Sequence, residues 1–186
     1  MPKLYLALLH YPVINKQGQT IASAVTNLDL HDIARLAKTY NIQAFYVITP
    51  MIDQKLLVEK IVSHWTTGGG ASYNPIRKAA LETILIKDSL EDVLNDIRLR
   101  EGQEAKTIVT CARKHEKSIG YGRCREMLQQ QTPYLLIFGT AWGLSEEIIS
   151  GADYILASIQ GNTDYNHLSV RSAASITLDR LLADYE

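Results

Sequence analysis

Two glycines, Gly139 and Gly143, close the apolar run Pro133-Tyr134-Leu135-Leu136-Ile137-Phe138 and precede Leu144-Ser145-Glu146-Glu147. A strand that ends in such a loop lets a ligand approach the main chain, because glycine has no Cβ and accepts backbone angles that other residues avoid. A second apolar segment, 153–157, runs into Ser158-Ile159-Gln160-Gly161-Asn162-Thr163-Asp164-Tyr165-Asn166-His167. The helical pattern behind it opens with small residues, Ser169, Ser172, Ala173 and Ala174, which again leave room for a ligand or a neighbouring backbone. A further nucleotide-like phrase, Gly120-Tyr121-Gly122-Arg123-Cys124-Arg125, lacks the third glycine of the dinucleotide fingerprint. It also stands too far behind the preceding strand for a tight phosphate turn. The glycine run Thr66-Thr67-Gly68-Gly69-Gly70-Ala71-Ser72 is followed by no Gly-Lys-Ser/Thr and reads as a surface loop too small to pack, not as a phosphate-binding loop.

Cationic side chains cluster in residues 98–125, where eight arginines and lysines face Glu101, Glu104 and Glu116, an excess of five positive charges. With His115 and Tyr121 interleaved, this stretch could follow an RNA backbone and stack on an unpaired base, or it could be an ordinary charged loop. Arg113, Lys114, Lys117, Arg123 and Arg125 are the candidate RNA contacts. His64 and Tyr73 flank the glycine run as further stacking groups, whereas Trp65 between them reads as core. The net charge of −1 over 186 residues advertises no polyanionic partner, so nucleic-acid binding has to come from such local clusters. Cys111 and Cys124 form no C-x-x-C pair and imply reduced thiols, a cytoplasmic setting and no metal site.

The elements that must position these loops are strands at Leu4–Tyr11, Ile42–Thr49, Thr83–Lys87, Lys106–Cys111, Tyr134–Phe138 and Tyr154–Ala157, with helical patterns between most of them. Residues 29–40 place Leu30, Ile33, Ala37 and Tyr40 on one face, and residues 54–65 do the same with Leu56, Leu57, Ile61 and Trp65. Further helices are expected at 76–82, 89–100, 121–130, 143–150 and from about Leu168 to Ala183. Thr26-Asn27-Leu28-Asp29 has the form of a capping box. Alternating strands and helices predict an α/β fold with a parallel sheet covered on both faces, in one domain over 1–186. Such sheets bind ligands beyond the carboxyl ends of their strands. The apolar content of 46% and charged content of 21% fit a globular domain, and no apolar run approaches the roughly 20 residues of a membrane helix. The first apolar run reads as a strand and not as a signal peptide.

At these loops the sequence resembles the SPOUT methyltransferases, whose C-terminal half is tied in a trefoil knot. Leu136 to Leu144 is similar to their middle motif and Ile159 to Ala174 to their last; Asn27 and Arg35, in Thr26-Asn27-Leu28-Asp29-Leu30-His31-Asp32-Ile33-Ala34-Arg35, are similar to the first motif of the branch that methylates the ribose 2′-hydroxyl. The phrases His10-Tyr11-Pro12, Asn15-Lys16, Thr26 to Arg35, Phe138 to Leu144 and Tyr165 to Ala173 resemble a bacterial SPOUT family related to the C-terminal part of tRNA (guanine-N1)-methyltransferases.

The resemblance covers nearly the whole chain and implies a knot and cofactor site within about 106–186, S-adenosylmethionine as methyl donor, tRNA or rRNA as partner, and a homodimer whose partner chain helps complete each site. The implied cofactor positions are Thr110, Ala112, Phe138, Gly139, Thr140, Gly143, Ser158, Ile159, Gly161, Leu168, Ser169 and Val170. Asn27 falls on the RNA side.

The sequence departs from the ribose-directed pattern. Gly139-Thr140-Ala141-Trp142-Gly143 is one residue shorter and lacks a glutamate, while Ser169 and Arg171 replace Asn and Ser. The short loop is closer to enzymes that methylate a ring nitrogen, so both target atoms stay open. For a ribose target Arg35 is the expected phosphate clamp or alkoxide stabiliser, since its guanidinium stays protonated, and His31 one turn earlier is the expected base. For guanine N1 the expected base is the Asp164 carboxylate. A non-catalytic RNA-binding module that keeps the fold, and an unrelated α/β enzyme acting on a small molecule, are the competing readings.

Overall fold

In the computed structural model, which describes residues 2–184, six apolar segments join in one sheet and helices cover both of its faces. The strands are β1 (Leu4–Leu9), β4 (Phe45–Ile48), β5 (Ile84–Lys87), β6 (Lys106–Thr110), β7 (Tyr134–Gly139) and β8 (Tyr154–Leu156), in the order β5-β4-β1-β7-β6-β8. Every pairing is parallel. Two short strands, β2 (Val13–Ile14) and β3 (Thr20–Ile21), form a separate antiparallel hairpin. The helices are α1 (Asn27–Thr39), α2 (Ile52–Thr66), α3 (Gly69–Tyr73), α4 (Pro75–Leu81), α5 (Leu90–Glu101), α6 (Tyr121–Leu128), α7 (Glu146–Gly151) and α8 (Val170–Leu182).

The two-residue period of a strand divides the core in two. Leu4, Leu6, Leu8, Phe45, Val47, Leu136 and Phe138 point to one face, where they meet Leu30, Ile33 and Ala37 of α1 and Leu178 and Leu181 of α8. Tyr5, Ala7, Leu9, Tyr46, Ile48, Leu135 and Ile137 point to the other, against Val93 and Ile97 of α5 and Ile149 of α7. Because alternate residues are buried on opposite faces, the central strands β1, β4 and β7 read as near-continuous apolar runs, the pattern of a parallel sheet.

Two sequence expectations need correction. The glycine run is not an unpacked loop: Gly69–Tyr73 is a helical turn, and a Cβ on the buried Gly70 would lie 2.5 Å from the Trp65 ring. On α2 half of the expected stripe packs inward: Ile61 and Trp65 are half-buried against the core, but Leu56 and Leu57 are not. Val58 is the buried residue, while Leu56 and Leu57 stay 47% and 40% exposed. Thr26 is the N-cap of α1, its hydroxyl accepting from Asp29 N and donating to Asp29 Oδ2.

Directly after β1 lies His10, fully buried, with Nδ1 3.0 Å from the Ser23 hydroxyl and Nε2 without a partner. Burial, which strips water from the charged ring, lowers its pKa to about 4. The unfolded chain therefore binds a proton between pH 6.5 and 4 that the folded chain refuses, so stability is full above pH 6.5 and falls as the pH drops toward 4. We expect a loss on the order of 3 kcal/mol across that window, read by urea denaturation at stepped pH, and a flatter profile for His10→Gln.

Candidate functional site

All six parallel strands end on one side, and there the loops after β6, β7 and β8 surround a cavity of about 890 Å³, a size suited to a nucleoside-type cofactor. The start of α8 and the segment before α1 close the remaining walls. The loop after β7 is held by its own backbone. Gly143 N donates to the Thr140 carbonyl (2.9 Å), and Ala141 and Gly143 both adopt positive φ, 52° and 112°. This turn folds back over Gly139 so closely that a Cβ there would sit 2.7 Å from Leu144 N. The β2–β3 hairpin braces the turn from outside, through Ile14 N to the Gly143 carbonyl (3.0 Å) and Trp142 N to the Ile14 carbonyl (3.1 Å). From inside, the Thr140 hydroxyl donates to the Leu9 carbonyl (3.0 Å) and shares a short hydrogen bond with Ser23.

Every cofactor position named from the sequence lines this cavity except Gly161, which is exposed in the segment between β8 and α8. Ser169 caps α8 by accepting from Ser172 N, so the helix starts two residues later than the sequence pattern suggested. The cavity has main-chain walls, small side chains and a few convergent polar groups, which fits a nucleoside-type cofactor such as S-adenosylmethionine.

Sequence reasoning missed the ion pair at its edge. Asp29 Oδ1 accepts from Arg171 Nη1 at 2.6 Å, and Arg171 Nε lies 3.4 Å from Asp32 Oδ2, which ties α1 to α8. Asp29 and Arg171 both line the cavity, and Asp29 is the one acidic residue among the described lining residues. The hydrogen bond from the Thr26 hydroxyl turns the Asp29 side chain back toward the helix start, but nothing local announces a partner so distant in sequence.

The expected catalytic residues stand elsewhere. Arg35 is exposed and is not part of this chain's cavity wall. His31 donates through Nδ1 to the Asn27 carbonyl (2.9 Å) and meets the Trp65 ring edge-on at 5.8 Å, so it belongs to the contact between α1 and α2. Both lie on a side of α1 turned well away from Asp29, as the 3.6-residue period requires. Asp164 is exposed in the segment before α8, outside the cavity wall, and Asn27 is exposed at the first turn of α1.

Of the basic stretch, Arg98, Arg100, Lys106 and Arg123 pair with Glu104, Asp96, Asp153 and Glu126. Arg113, Lys114, Lys117 and Arg125 are exposed, and Arg113 lines the cavity. Three of these four exposed cations, Arg113, Lys114 and Lys117, thus stand in the loop 111–120 beside the cavity. Replacing Arg113, Lys114 and Lys117 together by glutamate should flatten the fall of log affinity with log salt by about 0.7 to 0.9 per lost phosphate contact. Filter binding of RNA from low to moderate salt measures it; an unchanged slope would put the RNA on another face.

The same fold occurs in the crystal structure of a SpoU-type tRNA-modifying enzyme from Aquifex aeolicus, with a TM-score of 0.58 and 17% identity over 98% of this chain and 75% of that one. The class is therefore the SpoU-type methyltransferase fold. Within it, the chain belongs to the family described as SAM-dependent RNA methyltransferase, whose model matches residues 3–183. S-adenosylmethionine is the cofactor of that family. A curated tRNA (guanine-N(1)-)-methyltransferase of Oleidesulfovibrio alaskensis is 43% identical over 97% of this chain, which spans only 42% of that relative. An uncharacterised protein of Aquifex aeolicus is 35% identical over 97% of this chain and 88% of its own length. Among the described residues, no helix is long and apolar enough to cross a membrane.

Proposed function

We propose that the protein methylates a ring nitrogen of RNA, guanine N1 in a tRNA, with the Asp29 carboxylate as the proton acceptor. The observation that carries this reading is Asp29 itself, the acidic residue in the wall of the cofactor cavity, oriented by Arg171 and by the Thr26 hydroxyl. The likeness to a curated guanine-N1 enzyme supports it. The cofactor supplies an electrophilic methyl group on sulfonium. With the methyl accepted by guanine N1 and S-adenosylhomocysteine as the leaving group, the Asp29 carboxylate would take up the N1 proton. In-line positioning provides much of the acceleration, and a correctly placed base adds about 100-fold or more.

Several features of the sequence analysis join this proposal. The chain works in the cytoplasm as a homodimer, and Arg35, exposed and outside its own cavity wall, reaches the partner's site. The segment leading into α8 threads the loop 111–120 to make the trefoil knot. Support comes from the stitching of that loop around the edge strand: Ile119 N donates to the Ile155 carbonyl (2.8 Å), Ala157 N to the Ile119 carbonyl (2.9 Å), and Asn166 Nδ2 to the Ala112 carbonyl (2.9 Å).

The deciding experiment is mass spectrometry of nucleosides from tRNA incubated with enzyme and adenosylmethionine, where N1-methylguanosine is expected and a 2′-O-methyl nucleoside would overturn the target. Asp29→Asn should slow single-turnover methylation by about 100-fold with Asp164→Asn near wild type. The reverse ranking would move the base to Asp164.

A further inference from the structure

At the mouth of the cavity three exposed rings come together from two separate segments. Trp142, in the turn after β7, is 56% exposed, and its ring centroid lies 6.3 Å from that of His167, just ahead of α8. His167 in turn stands 5.4 Å from Tyr165, which is 75% exposed. Single exposed aromatics are ordinary, whereas a cluster beside a ligand cavity marks an interaction surface. The hairpin explains how an exposed indole is kept in place: β2 hydrogen-bonds the Trp142 amide, and the Asn15–Gly18 turn carries Lys16 to 6.0 Å from the indole centroid. Arg113 adds a second cation in the cavity wall. Flat faces flanked by cations suit a nucleotide, whose base stacks while its phosphate meets the charge.

We infer that Trp142, His167 and Tyr165 form a stacking platform for an unpaired nucleobase of the RNA substrate, with Lys16 as a phosphate contact. This rests on the RNA methyltransferase reading above and adds the place where the nucleotide is received. Trp65 and Trp142 are the chain's two tryptophans, so a Trp65→Phe background leaves Trp142 as the sole indole reporter. An RNA hairpin with an unpaired loop should quench that fluorescence, and a blunt duplex of the same stem should not. Trp142→Ala and Tyr165→Ala should weaken hairpin binding by about 5- to 150-fold for each stacking ring lost, Trp142→Phe should recover most of it, and Lys16→Ala should lower its salt dependence. Hairpin affinity unchanged in Trp142→Ala and Tyr165→Ala, or equal quenching by duplex, would overturn the platform. A change of oligomeric state in these variants with RNA affinity intact would assign the rings to a protein contact and overturn it too. Calorimetric titration of the wild type with adenosylmethionine separates the two readings: cofactor binding without quenching removes the platform alone, and absence of cofactor binding removes the methyltransferase reading while the quenching result still decides the platform.

Discussion

Gly139→Ala is expected to lower S-adenosylmethionine affinity by well over tenfold, about 1.4 kcal/mol or more, while the protein stays folded. The added Cβ would lie 2.7 Å from Leu144 N and 2.9 Å from Gly143 C, both backbone atoms, so no side-chain adjustment relieves it and the whole turn has to move off the cavity. Gly143 offers the contrast. Nothing lies within 4 Å of a Cβ there, but its φ of 112° is one that a residue with a side chain resists. Gly143→Ala should therefore cost only about 1–3 kcal/mol of local strain and weaken binding less. Calorimetric titration with circular dichroism as a folding control ranks the two. Equal, wild-type affinities would detach the turn from cofactor binding.

Arg35→Ala should slow methyl transfer by roughly 100-fold if the guanidinium meets substrate phosphate or developing charge beside the methyl donor. Arg35→Lys, which keeps the charge and loses the planar fork, should fall between the two. Cofactor affinity and melting temperature should hardly change, because an exposed helix position shifts stability by only about 0.5 kcal/mol. The side chain is outside its own chain's cavity wall, so under the proposed homodimer the loss is expected to act in the partner's site. A mixture of Arg35→Ala and Gly139→Ala chains, unfolded and reassembled together, should regain activity that neither has alone, since one site then combines an intact pocket with an intact arginine. Absence of recovery, with mixed dimers demonstrated by native mass spectrometry, would rule out the shared site.

Much of this was legible in the sequence. The six strands carry dense apolar runs because parallel strands are buried on both faces, and the cavity loops follow directly from where those runs stop. The β2–β3 hairpin leaves no period in the sequence, since Val13–Ile14 and Thr20–Ile21 are too short to show any alternation. Its turn did leave a signal, Asn15 followed by Gly18, whose side chain and positive φ close the loop. The α2 stripe misled because Leu56 and Leu57 look like core by composition, whereas only packing decides which side of a helix meets the sheet. Asp29 with Arg171 was out of reach for a different reason: the pair exists only after α1 and α8 are brought together by the sheet. His31 and Arg35, four residues apart, share one side of α1, yet periodicity cannot say which side faces the ligand.

The central position of β1 bears on how the protein is made. Leu4–Leu9 pairs on one edge with Phe45–Ile48, available early, and on the other with Tyr134–Gly139. During synthesis the first strand therefore waits with one edge bare until residue 139 has cleared the ribosome, and closing so long a loop is slow. A nascent chain stalled before residue 134 should display that unpaired backbone edge and the apolar faces beside it to chaperones, and its release into solution should favour edge-to-edge aggregation.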